Sequence, residues 1–232
     1  MNIMKTAVMQ PYLFPYVGYF QLIHSVDEFV VFDDVNYIKQ GWINRNRILL
    51  DKKEFLITLQ LSGASSFKLI NQVEVGLNQN KFLKTIGQAY KKAPYFQSVY
   101  PIIKAILLNS EKNLAKFIEG SLYHINNYLG ITSEIVISSE LAKNNELKNQ
   151  DKVINICELI KAKYYINAIG GRALYSRESF LEKGIELKFI KSKSITYKQF
   201  DNKFIPNLSI IDVMMFNSKA DISKMLQEYS LV

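Results

Sequence analysis

Two short apolar runs, each cut off by a polar cluster, frame the N-terminal third of this chain. Thr6 to Met9 stops at Gln10-Pro11, and Glu28 to Phe32 stops at Asp33-Asp34. Proline has no amide hydrogen to give a sheet ladder, so the first run ends there as a strand. Between the runs, Gly18 to His24 spaces Phe20 and Ile23 three apart, the interval of one helix face. Strand, short helix, strand predicts the start of a βαβ unit. Its near-continuous apolar strands predict a sheet covered on both faces.

The rest of the chain extends that pattern after an interruption. Phe55, Ile57, Leu59 and Leu61 alternate with polar residues and predict a third strand, with Gln72 to Val75 a fourth. Three helical stretches follow without a strand between them. Asn78 stands as the cap of the first, Pro101 suits the first turn of the second, and Gly130 ends the third. Residues 78–130 therefore read as a helical insertion or cap. Alternation resumes with strands at Ile135 to Ile137, Tyr164 to Ala168 and Glu186 to Ile190. Helices are expected at Lys152 to Lys161, from Ser176 to Gly184, near Ser209 to Phe216 and over Ile222 to Tyr229. The expected fold is α/β: a mostly parallel sheet flanked by helices, with 1–232 as one domain. In such a fold, ligands sit beyond the carboxyl ends of the strands.

Composition narrows the class. Hydrophobic residues at 48% and charged residues at 22% exclude a disordered or collagen-like chain. With 232 residues, folding removes roughly 70% of the unfolded surface from water, so no staple is required. One cysteine, Cys157, and two histidines exclude a disulfide framework and a zinc finger, and fit a reducing cytoplasm. No apolar stretch approaches the ~18 residues of a membrane span, and no signal-peptide pattern opens the chain. The net charge of +8 attracts polyanions, but lysines scattered from Lys5 to Lys224 form no basic tail.

Polar clusters fall where the α/β rule puts a site. Gln10, Tyr12, Tyr16, Gly18 and Tyr19 leave the first strand. Tyrosine rings there could stack on a base or sugar, and the start of the following helix offers amides to an anion; the alternative for these aromatics is packing beneath the sheet. Asp33 and Asp34 leave the second strand pointing in opposite directions, with Asp33 the candidate for Mg2+ or sugar hydroxyls. The string Trp42 to Arg47 holds the chain's one tryptophan and two arginines. If extended, it puts Asn44 and Asn46 on one side and Arg45 and Arg47 on the other. Guanidinium groups grip phosphate bidentately, although an ordinary edge strand accounts for the same pattern. Asp212 is a charge inside the apolar run Ile210 to Phe216, which makes it a candidate as well.

Together these strings resemble the WbqC-like family. The resemblance is carried by Met9-Gln-Pro-Tyr-Leu-Phe-Pro-Tyr-Val-Gly-Tyr-Phe-Gln-Leu-Ile23, Phe32-Asp-Asp-Val-Asn-Tyr37, Gly41-Trp-Ile-Asn-Arg-Asn-Arg-Ile48, Tyr165-Ile-Asn-Ala-Ile-Gly-Gly171 and Pro206-Asn-Leu-Ser-Ile-Ile-Asp-Val213. It implies a role in O-antigen and other surface-polysaccharide biosynthesis, with transfer of an aminoacyl group such as glycine to an amino sugar. The N-terminal unit is also similar to the nucleotidylyltransferase superfamily, in which a His-x-Gly-His element opens the first helix. Tyr16-Val17-Gly18-Tyr19 takes the comparable place with tyrosine at both histidine positions, so Arg45 or Arg47 would have to supply the missing positive charge.

The expectation is thus a transferase or amide-forming ligase acting on a nucleotide-linked amino sugar. ATP or another nucleotide with Mg2+ is the expected cofactor. Asp33, Tyr19 and Asp212 are the expected catalytic residues. Gln10, Tyr12, Tyr16, Gly18, Trp42, Asn44, Arg45 and Arg47 are expected to bind substrate. The rival expectations are a non-catalytic scaffold of a glycan-assembly complex and a single-stranded nucleic-acid binder.

Overall fold

The computed structural model describes residues 4–200 and 203–232. The opening unit is β1 (Lys5–Met9), α1 (Val17–His24) and β2 (Glu28–Val31). The two strands run parallel, with Thr6 opposite Glu28 and Met9 opposite Val31. The chain then leaves the sheet. β3 (Arg45–Leu50) and β4 (Lys53–Thr58) pair antiparallel as a separate ribbon, and β5 (Leu61–Ser62) and β6 (Glu74–Val75) form a smaller one. Asp51 and Lys52 close the first ribbon at φ 48° and 64°, the left-handed pair that a tight hairpin turn needs. The expected third strand is shorter than its alternation suggests. It stops at Thr58, and Phe55 is exposed while Ile57 and Leu59 are buried. Phe55 shares the face of Ile57 but lies nearer the hairpin turn, and β4 pairs with β3 alone.

Three helices follow: α2 (Gln79–Tyr90), α3 (Phe96–Leu107) and α4 (Leu114–Leu129). Asn78 precedes α2, but its side chain does not cap it. Its amide oxygen instead accepts from Gln60 N at 2.8 Å and its Nδ2 donates to the Thr58 carbonyl at 2.9 Å, pinning the helix start to the ribbon. Pro101 lies inside α3, which begins five residues earlier than expected. The buried residues Val99 and Ile103 continue one apolar face across the proline, and that packing outweighs the missing hydrogen bond. Gly130 ends α4 at φ 71°, a conformation that costs a side chain-bearing residue about 1 kcal/mol or more.

The last third comprises β7 (Glu134–Ile137), α5 (Asn149–Leu159), β8 (Tyr164–Ala168), α6 (Arg177–Leu181), β9 (Glu186–Ser192), α7 (Ile210–Phe216), α8 (Lys219–Met225) and β10 (Tyr229–Leu231). The final helix ends at Met225, and Tyr229, expected at its end, instead starts an antiparallel strand opposite Ser192. Pairing with β9 supplies backbone partners that a frayed helix end lacks.

The main sheet has the order β10-β9-β8-β1-β2-β7, parallel except at β10. Ala7, Phe29, Val31 and Ile166 face a large core shared with α1, α2, α3, α4, α7 and α8. Val8, Val30, Tyr165 and Leu187 face a second core with α5 and α6. The sheet is thus a parallel α/β sheet covered on both faces. Strand order reverses between β1 and β8, the place where such folds open a crevice at the carboxyl edge. Among the described residues no helix is long and apolar enough to cross a membrane.

Candidate functional site

The loop after β1 is held from several sides. Leu13 N donates to the Ile43 carbonyl at 2.9 Å and Ile210 N to the Pro15 carbonyl at 2.8 Å. Asn46 Nδ2 and Ser209 Oγ both donate to the Phe14 carbonyl, at 2.8 and 2.7 Å. These bonds hold Phe14 at φ 47°, a strained conformation for a side chain of that size. Tyr19 is buried, with its hydroxyl on the Gln10 carbonyl at 2.8 Å, and burial raises its pKa well above the ordinary phenol value. Its position is that of a strut beneath the loop. Tyr12 packs on Tyr19 with ring centroids 5.6 Å apart, and its hydroxyl points to Gln10 Oε1 at 3.4 Å. Tyr16 is exposed and its ring lies over Gly18, where a Cβ would stand 2.4 Å from the ring.

The tryptophan–arginine string adopts the alternation expected of an extended segment. Asn44 and Asn46 are buried. Asn44 accepts from the Tyr37 hydroxyl at 2.9 Å and donates to the Leu59 carbonyl at 2.7 Å. Arg45 donates through Nε to the Gly41 carbonyl at 2.8 Å and through its terminal nitrogen to the Gln40 carbonyl. Arg47 lies 3.3 Å from Glu54. Both guanidinium groups flank Trp42, at 5.8 and 5.0 Å from the ring centroid. Arg45 is thus occupied by backbone carbonyls of its own turn, and Arg47 by an exposed ion pair that is easily exchanged.

Asp33 and Asp34 diverge as neighbouring strand residues must. Asp33 is 2% exposed and accepts three bonds: Ser139 N at 2.9 Å, Ser139 Oγ at 2.6 Å and Asn71 Nδ2 at 3.0 Å. It lines a cavity of about 220 Å³ at the carboxyl ends of β2 and β7, with Asn71, Asn113, Lys116, Glu119, Ser139 and Glu140. Burial raises the pKa of Glu119, and the negative charges of Glu140 and Asp33 raise it further against the opposing pull of Lys116. Asp34 turns to the other face and meets two lysines, Lys143 at 2.9 Å and Lys152 at 2.8 Å.

Asp212 is fully buried. It accepts from Tyr90 at 2.8 Å, Tyr197 at 2.6 Å and Gln199 at 2.7 Å. Burial raises its pKa, although the three hydrogen bonds work the other way. Of its three partners, Tyr197 is the one that is not fully buried. That ring lines a second cavity, of about 190 Å³, with Tyr16, Val17, Lys193, Phe204 and Asn207. Cys157 is buried in the α5-side core, where burial pushes its thiol up, away from thiolate chemistry. Among the described residues no three His, Cys, Asp or Glu side chains are grouped to hold a metal ion.

Sequence reading singled out Asp33 but missed the residues around it. Glu119 and Lys116 sit three apart on α4, an ordinary polar helix face in the sequence. Lys143 and Lys152 look like two of many scattered lysines. No local signal marks any of the four, because each acquires its role from a strand distant in the chain.

Relatives place the chain. Over 224 residues it is 30% identical to an uncharacterized protein of Mycobacterium tuberculosis (strain ATCC 25618 / H37Rv), Rv1507c, and the match covers 94% of this chain and 95% of that protein. No solved structure matches it. The model of the WbqC-like protein family matches residues 10–224, which include the β1 loop, both aspartates, the tryptophan–arginine string and Asp212. The chain belongs to the WbqC-like protein family.

Proposed function

We propose that the protein is a transferase or amide-forming ligase of surface-polysaccharide biosynthesis acting on a nucleotide-linked amino sugar. The observation that carries this reading is the Asp33 cavity. Its volume of about 220 Å³ equals about seven water volumes at ~30 Å³ each, the scale of one sugar ring. Its lining of carboxylates, amides and a hydroxyl matches sugar hydroxyls, and Asp33, Glu119 and Glu140 match an ammonium. Three donors hold the Asp33 carboxylate in place, so it meets a ligand without reorganising. Glu119, with its raised pKa, is the group suited to move a proton from an attacking amine.

The second cavity supports the nucleotide part. It lies at the end of β9 and the start of α1, and its aromatic rings and Lys193 suit a base and its phosphates. The β1 end, with Gln10 and Tyr12, stands between the two cavities along the carboxyl edge. Mg2+ would arrive with the phosphates, needing only one or two carboxylates from the protein. Trp42, Arg45 and Arg47 flank this region through Arg47, whose carbonyl accepts from Ser209 N at 2.8 Å.

The test is thermal unfolding against free nucleotides and nucleotide-linked sugars with and without an amino group. A ligand at ~100 times its Kd should raise the midpoint by roughly 5–10 °C. The amino sugar derivative should give the largest shift, and Glu119→Gln should remove its advantage. No shift with any nucleotide-linked sugar would overturn the reading and leave the scaffold role in its place.

A further inference from the structure

The chain after β2 and the chain before β6 are laced together as a short antiparallel arm. Asn71 N donates to the Asp33 carbonyl at 3.1 Å, Ile70 N to the Val35 carbonyl at 2.9 Å and Tyr37 N to the Lys68 carbonyl at 2.9 Å. Asn36 Nδ2 adds a bond to the Ser66 carbonyl at 2.9 Å. One end of the arm is Asp33, on the cavity wall. At the other end Ile38, after Tyr37, and Phe67, before Lys68, leave it together. Five residues separate Asp33 from Ile38, so the two ends lie within about 17 Å of each other.

Two tight turns form the tip and carry apolar side chains outward. Gly41 N donates to the Ile38 carbonyl at 3.1 Å, with Gln40 at φ 60° inside that turn. Lys68 N donates to the Ser65 carbonyl at 3.1 Å, and Phe67 lies inside the second turn. Phe67 is 93% exposed, Ile38 50%, and Trp42, next to the first turn, 39%. Scattered exposed hydrophobics are ordinary, but three large ones on adjoining turns are not scattered. Arg45 braces the first turn, because its guanidinium holds the Gln40 and Gly41 carbonyls and flanks Trp42. The charge around the tip has one sign. Residues 35–50 and 55–73 carry Lys39, Arg45, Arg47 and Lys68 and no carboxylate. Glu54 reaches Arg47 in an exposed pair, whereas Lys39 and Lys68 have no acidic partner among the described residues.

We propose that this tip docks on an anionic lipid membrane surface. Phe67 and Ile38 enter the interface, Trp42 sits at headgroup level, and Lys39 and Lys68 face the anionic headgroups. Apolar insertion holds the protein at the surface, and the unpaired cations select anionic lipid over neutral. An indole ring with an apolar body and a polar N–H suits the boundary between the two. A phenyl ring 93% exposed has almost none of its own chain beside it. It therefore suits insertion into a fluid phase better than a protein interface, whose core is covered on all sides. Docking of this kind needs no membrane-spanning helix, and it stands or falls independently of the sugar reading.

The test mixes the full chain with sedimenting vesicles and uses Trp42, the one tryptophan, as an optical reporter. Vesicles with about one third phosphatidylglycerol should capture the protein, and phosphatidylcholine alone should capture it about tenfold less well. On capture, Trp42 emission should move to shorter wavelength and be quenched by lipids brominated high on the acyl chain. Phe67→Ser combined with Ile38→Ser should keep the unfolding midpoint, because both side chains are exposed, yet weaken capture about tenfold. Lys39→Glu combined with Lys68→Glu should weaken it as much and remove the preference for anionic lipid. No capture at about 1 mM anionic lipid overturns the proposal. So does capture undiminished in both variants, or capture that leaves Trp42 emission unchanged, which would put another face on the membrane. Self-association without lipid that the Phe67–Ile38 variant abolishes would make the tip a protein contact and overturn it as well.

Discussion

The adjacent aspartates at the end of β2 show how far a single side chain's surroundings can differ from its neighbour's. Strand alternation sends Asp33 into a polar cavity and Asp34 into an ion cluster on the other face. Burial alone would raise the Asp34 carboxyl. Hydrogen bonds from Lys152, Ser138 and Lys143 outweigh it and hold the group below its ordinary value of 3.8. A carboxyl depressed by folding stabilises the protein above that ordinary value, and the contribution is lost as pH falls through the lower folded-state value. Stability should therefore decline on acidification below about pH 4. Asp34→Asn should flatten that decline and cost about 3 kcal/mol at neutral pH, since both ammonium groups lose their counter-charge. Urea unfolding across a pH series measures both effects, and parallel acid limbs in the two proteins would remove Asp34 as their source. The divergence of the two aspartates was legible in the sequence, because it needs only the period of two. The lysines were not, since Lys152 lies 118 residues further along the chain.

At the scale of elements, the start of α1 makes the sharpest prediction. The Tyr16 ring occupies the space that a side chain at residue 18 would fill. Alanine normally favours a helix over glycine by about 1 kcal/mol. Gly18→Ala should lose that gain while Tyr16 is present and recover it in a Tyr16→Ala background, a coupling of about 1 kcal/mol in a double-mutant cycle. Additive effects would mean that the ring moves aside without cost. The boundaries that the sequence misplaced have a common origin. Asp51-Lys52 lacks the asparagine or glycine that advertises a tight hairpin, so the β3–β4 turn is invisible until its φ angles are seen. Pro101 reads as a helix start by local rule, yet packing on both sides carries α3 through it. Tyr229, the expected end of the last helix, instead opens β10 because β9 offers it an edge.

For the whole molecule, the helices between residues 79 and 129 bury their apolar faces in the same core as β1, β2, α7 and α8. Shared burial couples their stability, so urea should unfold the chain in one transition, with Trp42 fluorescence and far-UV circular dichroism coinciding. Two separated transitions would show instead that the helical segment is stable on its own. The α/β class, the mostly parallel sheet, the run of three successive helices and the placement of polar clusters at strand ends followed from the sequence. Hydrophobic period and breaker residues act over a few positions and need no knowledge of distant chain. The sequence also marked Gln10, Asp33, Trp42, Arg45 and Asp212 as unusual. Only the tertiary structure decided what each one meets: Asp33 a cavity with Glu119, Arg45 the carbonyls of its own turn, Asp212 three neutral donors in the core. Those partners are chosen by how crossovers and ribbons bring remote segments together, and no local pattern records that choice.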